Sequence, residues 1–458
     1  MSGHLVITRQ QKAPVILSRL STMNLRILVK DSALYTVVNV LNKGISIILL
    51  PIYTFFLSPE QFGLVDYLAA IGAIVAVTVS LEVTQALARY LPEQRKASGD
   101  TSPLISAAIL SMLVTFALFI IPTILFAQEI SVLLFDSTEN THLIQLCALV
   151  YMLTGFVTLF NGILVASLES KKSVIFSLIN TVFNGTSTYF ILVNTELRVE
   201  ALLLGQIIGA FVALVCFYKV VLGNVRFTFD HEWFTKMYSF SLPLIPSSVG
   251  VIFALFTDRL MIKEFLDLES LGVYGIALRV ASIMTLITTG FRTAITPLIY
   301  VSYKNEDTKS KIINMFYLYL LSAVFIVVAI LYFQNSIVLY LSSPDYIGAT
   351  EVIAILCITV FISNCYVFFP GLSLANKTGM ISVVNIFGMV LNFCLNLIFI
   401  PKYGIAGAAN ATMVAAVCTF IAHFVLAQKH YRLPIGLPRL MVILGAMLFS
   451  IYWIRAVI

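Results

Sequence analysis

Residues 240–300 read FSLPLIPSSVGVIFALFTDRLMIKEFLDLESLGVYGIALRVASIMTLITTGFRTAITPLIY, and this stretch decides the fold of the chain. It consists of two long apolar segments joined by a short acidic turn, which is the pattern of two membrane helices. Its apolar segments nevertheless contain Asp258, Arg259, Arg279 and Arg292 at positions where lipid would not tolerate a charge. A charge in hydrocarbon is costly and usually faces a protein interior or a water-filled cavity. The stretch therefore predicts a membrane protein, and its arginines favour a site for an anionic ligand.

The composition of the whole chain agrees with this interpretation. Of 458 residues, 60% are hydrophobic and only 11% are charged, whereas a soluble domain has roughly 25% charged residues. The basic residues lie in short loops between apolar runs, so the net charge of +6 does not predict a nucleic-acid partner. The six cysteines all lie within apolar segments and form no CxxC pair. We therefore expect no disulfide, no metal centre and no cofactor.

A helix that spans the bilayer needs about 20 apolar residues. Thirteen segments meet that requirement. They lie near 34–57, 62–88, 104–127, 142–167, 173–194, 199–221, 239–263, 271–300, 312–334, 350–374, 379–400, 404–427 and 439–457. The last is the weakest, because Trp453 and Arg455 near its end also suit an interfacial anchor.

The distribution of Lys and Arg predicts the orientation. The N-terminal segment and every second loop together hold 20 basic residues, while the opposite loops and the chain end hold five. Basic residues accumulate on the cytoplasmic side of membrane proteins. We therefore expect a cytoplasmic N-terminus.

The chain also contains an internal repeat. Residues 56–64 align with residues 265–273 at an offset of 209, and residues 167–171 resemble residues 373–377 at an offset of 206. Six helices per repeat is an even number, so both halves enter the membrane in the same sense, as in parallel-repeat transporters. The predicted fold class is an all-α polytopic membrane protein with two six-helix lobes and a candidate thirteenth helix. The predicted units are a cytoplasmic N-terminal segment (1–30), an N-lobe (31–221), a cytoplasmic linker (222–237), a C-lobe (238–428) and a C-terminal segment (429–458).

Three stretches carry a family resemblance. They are LPIYTFFLSPEQFGLVDY near the start, SFSLPLIPSS with TDRLMIKEFLDLESLGVYGIALRVAS in the middle, and NLIFIPKYGIAGAANATMVA near the end. In this order and spacing they resemble the bacterial polysaccharide-transport family. Its members are the O-antigen and capsule-unit flippases of the multidrug/oligosaccharidyl-lipid/polysaccharide exporter superfamily. Members often have twelve or fourteen helices, so the count of thirteen leaves the C-terminal end open.

The resemblance implies a transporter, not an enzyme, with two lobes around a central cavity that opens alternately to either side. It implies an isoprenoid-pyrophosphate-linked oligosaccharide as cargo, in the biosynthesis of O-antigen lipopolysaccharide or capsule. It also implies a bacterial cytoplasmic (inner) membrane, with the polysaccharide polymerase and chain-length machinery as partners.

Charged residues within the predicted spans are the candidates for substrate binding. A pyrophosphate crosses the membrane only if the protein replaces its water, because a bare charge in a medium of low dielectric costs on the order of tens of kcal/mol. The planar arginine fork binds two phosphate oxygens at once. We therefore expect Lys43, Arg279 and Arg292 to line the cavity and to attract the pyrophosphate or acidic sugars.

Structural roles are alternatives to substrate binding for the same residues. Asp258 and Arg279 are predicted at similar depth on adjacent helices, so they form a candidate structural pair. Lys43 and Glu82 form a second candidate pair, and Arg292 has the alternative of extending its side chain to the cytoplasmic interface. Glu82 and Asp258 are also candidates for coupling to an ion.

Two other functions fit parts of the sequence. A multidrug antiporter of the same superfamily has the same two lobes, but its usual cargo is cationic and a cationic cavity argues against it. A membrane glycan polymerase or ligase is expected to have a long polar outer loop with catalytic residues, and the outer loops here are short. No GxxxxGK[ST] motif occurs, so we do not expect ATP to drive transport directly.

Overall fold

The computed structural model describes residues 44–45, 47–97, 99–223, 225–226, 228–303 and 305–436. All regular structure in these ranges is helical, and ten helical segments are long and apolar enough to cross a membrane. The all-α polytopic fold class is therefore confirmed. Residues 1–30, Lys43 and the candidate span 439–457 lie outside the described ranges.

The helices are numbered here in chain order. They are α1 (Ile47–Phe56), α2 (Pro59–Ser80), α3 (Val83–Ala97), α4 (Ser102–Leu125), α5 (Ala127–Phe135), α6 (Thr141–Ala166), α7 (Ser170–Asn194), α8 (Val199–Leu222), α9 (His231–Ser241), α10 (Ile245–Phe265), α11 (Leu268–Ser282), α12 (Met284–Ser302), α13 (Glu306–Leu341), α14 (Thr350–Asn364), α15 (Gly371–Leu374) and α16 (Thr378–His430). We call α1 to α8 the N-lobe and α10 to α16 the C-lobe. Helix α9 connects them and packs back onto α3 and α4 of the N-lobe.

The last described helix consists of two limbs. Helix α16 has 53 residues, and a straight helix of that length would be about 80 Å long, far more than the ~30 Å hydrocarbon core. Gly404 interrupts it with φ 58° and ψ −141°, a backbone conformation that glycine adopts without a Cβ penalty. The break separates two limbs that correspond to the predicted spans 379–400 and 404–427.

The two turns aligned by the repeat begin their helices in the same way. Ser58 caps α2, and its hydroxyl accepts a hydrogen bond from the backbone N–H of Gln61 at 3.3 Å. Asp267, its counterpart at an offset of 209, caps α11 and accepts from the N–H of Ser270 at 2.6 Å. Side-chain caps of this kind satisfy N–H groups that a helix leaves unpaired. The sequence repeat therefore corresponds to a repeated local structure.

Helices α2 and α11 then cross at a backbone contact. Gly63 and Gly272 are related by the same offset, and each faces the other helix. A Cβ on Gly63 would overlap the carbonyl oxygen of Leu268, and a Cβ on Gly272 would overlap that of Pro59. Only two glycines allow the helices to approach so closely, as small residues do at many membrane helix crossings.

The lobes pack tightly at one end of this crossing and separate toward the other. Up to Gly72, α2 contributes many buried residues, whereas its residues 73–80 are all half-buried. In α10 the buried residues begin at Thr257, and residues 245–256 are half-buried or exposed. We call the end near Ser58 and Asp267 the closed end and the opposite end the open end.

The glycine crossing predicts a difference between two glycine substitutions. Gly272→Ala should lower the midpoint of thermal unfolding, because overpacking of a tight contact typically costs about 1–3 kcal/mol. Gly250→Ala in α10 is the matched control, since a Cβ there meets nothing within 4 Å and alanine favours a helix. Thermal unfolding of the purified variants in detergent measures both effects. Equal midpoints for the two variants would contradict the close crossing.

Candidate functional site

An ion pair joins the two lobes one turn below the glycine crossing. Arg279 donates from Nη2 to Asp66 Oδ1 at 2.6 Å and from Nη1 to Asp66 Oδ2 at 2.9 Å. Arg279 Nη1 also donates to the carbonyl oxygen of Gly275 at 3.1 Å, and its guanidinium lies 4.3 Å from the centroid of the Phe62 ring. The side chain of Asp66 is 5% exposed and that of Arg279 is 36% exposed. A two-pronged bond of this kind fixes geometry as well as charge.

The partner of Arg279 differs from the one that the sequence suggested. The structure pairs it with the buried Asp66 and not with Asp258. The physical reason is the close crossing, because Asp66 follows Gly63 by one turn and reaches α11 where Gly275 has no side chain. Asp66 and Gly275 are themselves related by the offset of 209. That offset was the signal in the sequence that could have located the pair.

Asp258 is buried among neutral groups within the C-lobe. Its Oδ2 accepts hydrogen bonds from the Tyr274 hydroxyl at 3.0 Å and from the Thr412 hydroxyl at 3.1 Å. Its Oδ1 accepts from Asn396 Nδ2 at 3.2 Å, and the same Nδ2 donates to Asn392 Oδ1 at 3.1 Å. Asn396 Oδ1 is buried and has no hydrogen-bond partner among the described residues.

No described basic residue forms an ion pair with Asp258. A buried carboxylate that no cation contacts directly is costly unless it is neutralised, and the adjacent Arg259 acts on Asp258 only through space. Oxygen atoms of the Asp258 cluster (Asp258, Tyr274, Asn392, Asn396 and Thr412) surround this carboxylate, and such atoms suit a proton or a small cation. Sequence reasoning missed the neutral partners, although two asparagines four residues apart on an apolar span were visible.

Arg292 lies on a polar stripe of α12. The threonines of the stripe share its side of the helix, and each hydroxyl donates to a backbone carbonyl three or four residues earlier in the chain; they are Thr285, Thr289, Thr293 and Thr296. Buried residues of α12, including Met284, Ile295 and Ile299, adjoin the stripe, and Ile299 lies two turns after Arg292. Arg292 is exposed and forms no ion pair with another described residue. A stripe with a free cation is unfavourable against lipid, which favours the space between the lobes as its surroundings.

The remaining charges make no direct ion pair with Asp66 or Arg279 among the described residues, although Arg259 acts electrostatically on Asp66. Lys43 is outside the described residues, so its pairing with Glu82 stays a prediction. Glu82 is half-buried at the break between α2 and α3, where Leu81 and Glu82 have φ values of 50° and 55°. Glu82 forms no ion pair with another residue in the described part of the chain. Arg259 lies with its guanidinium 4.6 Å from the centroid of the Phe256 ring.

A cavity of about 280 Å³ borders the Asp66–Arg279 pair on the N-lobe side. Helices α1, α2, α7 and α8 form its walls, and Arg279 reaches it from the C-lobe. Its polar lining residues are Tyr53, Asp66, Thr181, Asn184, Thr188, Gln206 and Arg279. The site therefore combines two arginines, an inter-lobe ion pair and a polar cavity.

Comparisons with known proteins agree on the kind of protein. A family model described as polysaccharide biosynthesis protein matches residues 28–300, and a MatE model matches residues 243–398. The probable low-salt glycan biosynthesis flippase Agl15 of Haloferax volcanii is 24% identical over 402 residues, which is 86% of this chain and 82% of that protein. The succinoglycan biosynthesis transport protein ExoT of Rhizobium meliloti is 23% identical over 240 residues, 52% of this chain and 47% of that protein.

Solved structures share the fold. The lipid II flippase MurJ in an inward closed conformation matches with a TM-score of 0.68 at 14% identity, over 93% of this chain and 98% of that one. An inward-facing multidrug resistance MATE family transporter of the MOP superfamily matches with a TM-score of 0.64 at 15% identity, over 86% of this chain and 94% of that one. At these identities the likeness shows the fold alone.

The inter-lobe pair predicts which aspartate is coupled to Arg279. In a double-mutant cycle, Asp66→Ala and Arg279→Ala should show an interaction energy of roughly 0.5–3 kcal/mol, because either single change leaves one charge without its partner. Asp258→Ala and Arg279→Ala should be additive. Unfolding of the purified protein by titration with SDS measures both cycles. Coupling in the second cycle and additivity in the first would contradict the pairing described here.

Proposed function

The chain belongs to the polysaccharide biosynthesis protein family, and from that premise we propose that it flips isoprenoid-pyrophosphate-linked oligosaccharides from the cytoplasmic to the outer leaflet by alternating access. The observation that carries the proposal is the presence of Arg279 and Arg292 on one membrane span, with Arg292 exposed and free of any ion pair to another described residue. The printed functions of two relatives, a glycan biosynthesis flippase and a succinoglycan transport protein, support the same cargo class.

The two arginines provide successive positions for an anion. They are separated by 13 residues along α11 and α12, about 20 Å at 1.5 Å per residue. Arg292 lies toward the open end and meets the pyrophosphate first. Arg279 lies near the closed end and accepts the phosphate in exchange for Asp66. A charge that moves from one guanidinium to the next avoids the full cost of dehydration.

The Asp66–Arg279 pair and the glycine crossing form the contact that alternating access has to break. Both hold α2 of the N-lobe against α11 of the C-lobe at the closed end. The charge count of the loops supports an assignment of the closed end to the outer face and of the open end to the cytoplasm, with a cytoplasmic N-terminus. A phosphate that replaces Asp66 on Arg279 weakens the inter-lobe contact, so cargo arrival promotes opening to the outside.

The Asp258 cluster is the candidate for coupling to an ion. In the described part of the chain its carboxylate accepts hydrogen bonds from neutral groups only, and the Asn396 amide oxygen beside it has no partner there. Occupation by a proton or sodium ion would neutralise the buried charge. Moving one such charge across 100 mV yields about 2.3 kcal/mol, which is enough to bias the transport cycle.

The proposed cellular role is the export of repeat units for a surface polysaccharide such as O-antigen lipopolysaccharide or capsule. The corresponding location is a bacterial inner membrane, and a polymerase with its chain-length machinery would consume the product. The location and the partners are those that the resemblance of the sequence to the flippase family implies.

A cation-coupled antiporter of small molecules is the second candidate function. The MatE match over residues 243–398 and the Asp258 cluster favour it. Arg292, which forms no ion pair with another described residue, opposes it, because a cationic cargo would be repelled there. We therefore place the cation at the Asp258 cluster as the coupling ion rather than as the cargo.

Deletion of the gene tests the proposal, because the leaflet in which the cargo then accumulates depends on the step that is blocked. In deficient cells the lipid-linked oligosaccharide should accumulate in the cytoplasmic leaflet, protected from periodate added outside. Accumulation of complete units in the outer leaflet would instead indicate a later enzyme and would contradict the flippase.

Arg292→Ala should reduce flipping in complemented cells by roughly tenfold or more, since a charge-assisted bond is lost. Arg292→Lys should retain part of the activity because the charge remains. The control is Lys236→Ala, which removes an exposed cation that pairs with Glu232. Export of the oligosaccharide at equal protein level is the measurement. Wild-type export by Arg292→Ala would remove Arg292 from the cargo path.

Sodium should raise the thermal midpoint of the wild-type protein in a concentration-dependent way if it binds the Asp258 cluster, because a ligand of the native state stabilises it. Asp258→Asn keeps the shape but lacks the charge, and it should not respond. Choline chloride at equal ionic strength is the control. A proton in the same place would appear as a response to pH that Asp258→Asn abolishes. Identical responses of wild type and variant to both ions would refute the coupling role.

A further inference from the structure

The N-lobe cavity beside Arg279 contains hydrogen-bonding groups that the ion pair does not use. Thr181, Asn184 and Thr188 share one face of α7, and Gln206 faces them from α8. Thr188 is fully buried and donates to Asn184 Oδ1 at 3.3 Å. The Gln206 amide makes no hydrogen bond to another described residue. Unused amide groups in a membrane span are costly unless they meet a ligand or water.

The span that carries these groups is unusually polar. Helix α7 has a mean hydropathy of 1.2, the lowest of the ten segments in the described ranges, whose values otherwise lie between 1.7 and 2.7. Three of its polar residues, Thr181, Asn184 and Thr188, line the cavity. Lipid contact would select against such residues, so their presence favours a role inside the N-lobe.

We propose that this cavity binds a neutral, hydroxyl-rich group: the sugar ring next to the pyrophosphate of the lipid-linked cargo. Amide and hydroxyl side chains can donate to and accept from sugar hydroxyls. Tyr53 lines the cavity and provides a flat surface for the apolar face of the ring. The adjacent guanidinium of Arg279 holds the phosphate. This assignment rests on the proposed flippase function.

The size of the cavity sets how much of the cargo it holds. Its volume of about 280 Å³ lies at the lower end of small-molecule sites, which span about 300–1,000 Å³. It accommodates one sugar ring, and the rest of the oligosaccharide extends into the space between the lobes. The cavity therefore selects the first sugar and tolerates variation in the others.

The composition of the cavity makes binding dependent on the transport state. Arg279 belongs to the C-lobe, whereas the amide and hydroxyl groups belong to the N-lobe. The complete site exists only while the lobes are packed at the closed end. Opening of that end withdraws the cation from the cavity, and this lowers the affinity for cargo when it has to be released.

Binding of defined lipids to the purified full-length protein in nanodiscs tests the assignment. The probes are a bare polyprenyl pyrophosphate and a panel of the same lipid that carries one hexose or one N-acetylhexosamine. Wild type should bind at least one glycosylated lipid about tenfold more tightly than the bare lipid, the gain expected from one or two hydrogen bonds. Gln206→Met and Asn184→Leu should remove this gain and leave the affinity for the bare lipid unchanged.

The control variant is Asn364→Leu, which removes an amide that donates to the carbonyl of Val360 in its own helix. It should keep the sugar-dependent gain. A gain that survives in Gln206→Met and Asn184→Leu, or a wild type that binds every glycosylated lipid no better than the bare one, would overturn the sugar site while the flippase proposal stands. Failure of wild type to bind any of the lipids would refute the flippase proposal itself. The unchanged affinity for the bare lipid also shows that each variant is folded.

Discussion

The contact of α2 with α11 at Gly63 and Gly272 is the constraint on which the rest of the structure depends. Two backbones approach there without intervening side chains, so Asp66, one turn after Gly63, comes within hydrogen-bonding distance of Arg279, two turns after Gly272. Asp66 and Arg279 use that proximity to form a two-pronged ion pair. The same contact closes one end of the inter-lobe space and leaves the other end open. Geometry at a single crossing therefore determines both the shape of the cavity and the partner of its central arginine.

Two aspartates within the membrane have different surroundings, and this difference separates their proposed roles. Asp66 is neutralised by a guanidinium from the other lobe, so its energy depends on how the lobes are arranged. Asp258 is surrounded by neutral donors of its own lobe, so its energy depends on whether a proton or cation is bound. The first suits a contact that breaks when the lobes move. The second suits a site that couples an ion to that movement, because neutralisation of a buried charge changes stability by several kcal/mol.

Much of the candidate site was predictable, but its pairings were not. Arg279 and Arg292 stood out as charges in apolar spans, and the structure pairs Arg279 with Asp66 and leaves Arg292 exposed. The depth of each residue along its helix suggested Asp258 as the partner of Arg279. Depth does not specify the direction in which a side chain points, and Asp66 occupies the position that faces Arg279. The sequence did not identify Asn184, Gln206 and Asn396 as site residues, because uncharged polar residues are common in membrane helices. Such residues indicate a site only when the fold brings several of them together.

The sequence by itself determined the class of the protein, its helical spans and its internal duplication. Hydropathy and the alternation of loop charge are set by the bilayer, which acts on each segment separately, and repeated turns leave a local pattern that an alignment detects. Only the tertiary structure decided which charges meet, where the lobes touch and which polar residues share a cavity. Those features depend on the rotation and crossing of helices more than 200 residues apart in the chain, as Asp66 and Arg279 are. The packing of whole helix surfaces determines which residues meet, and the sequence of a single segment does not specify its partners.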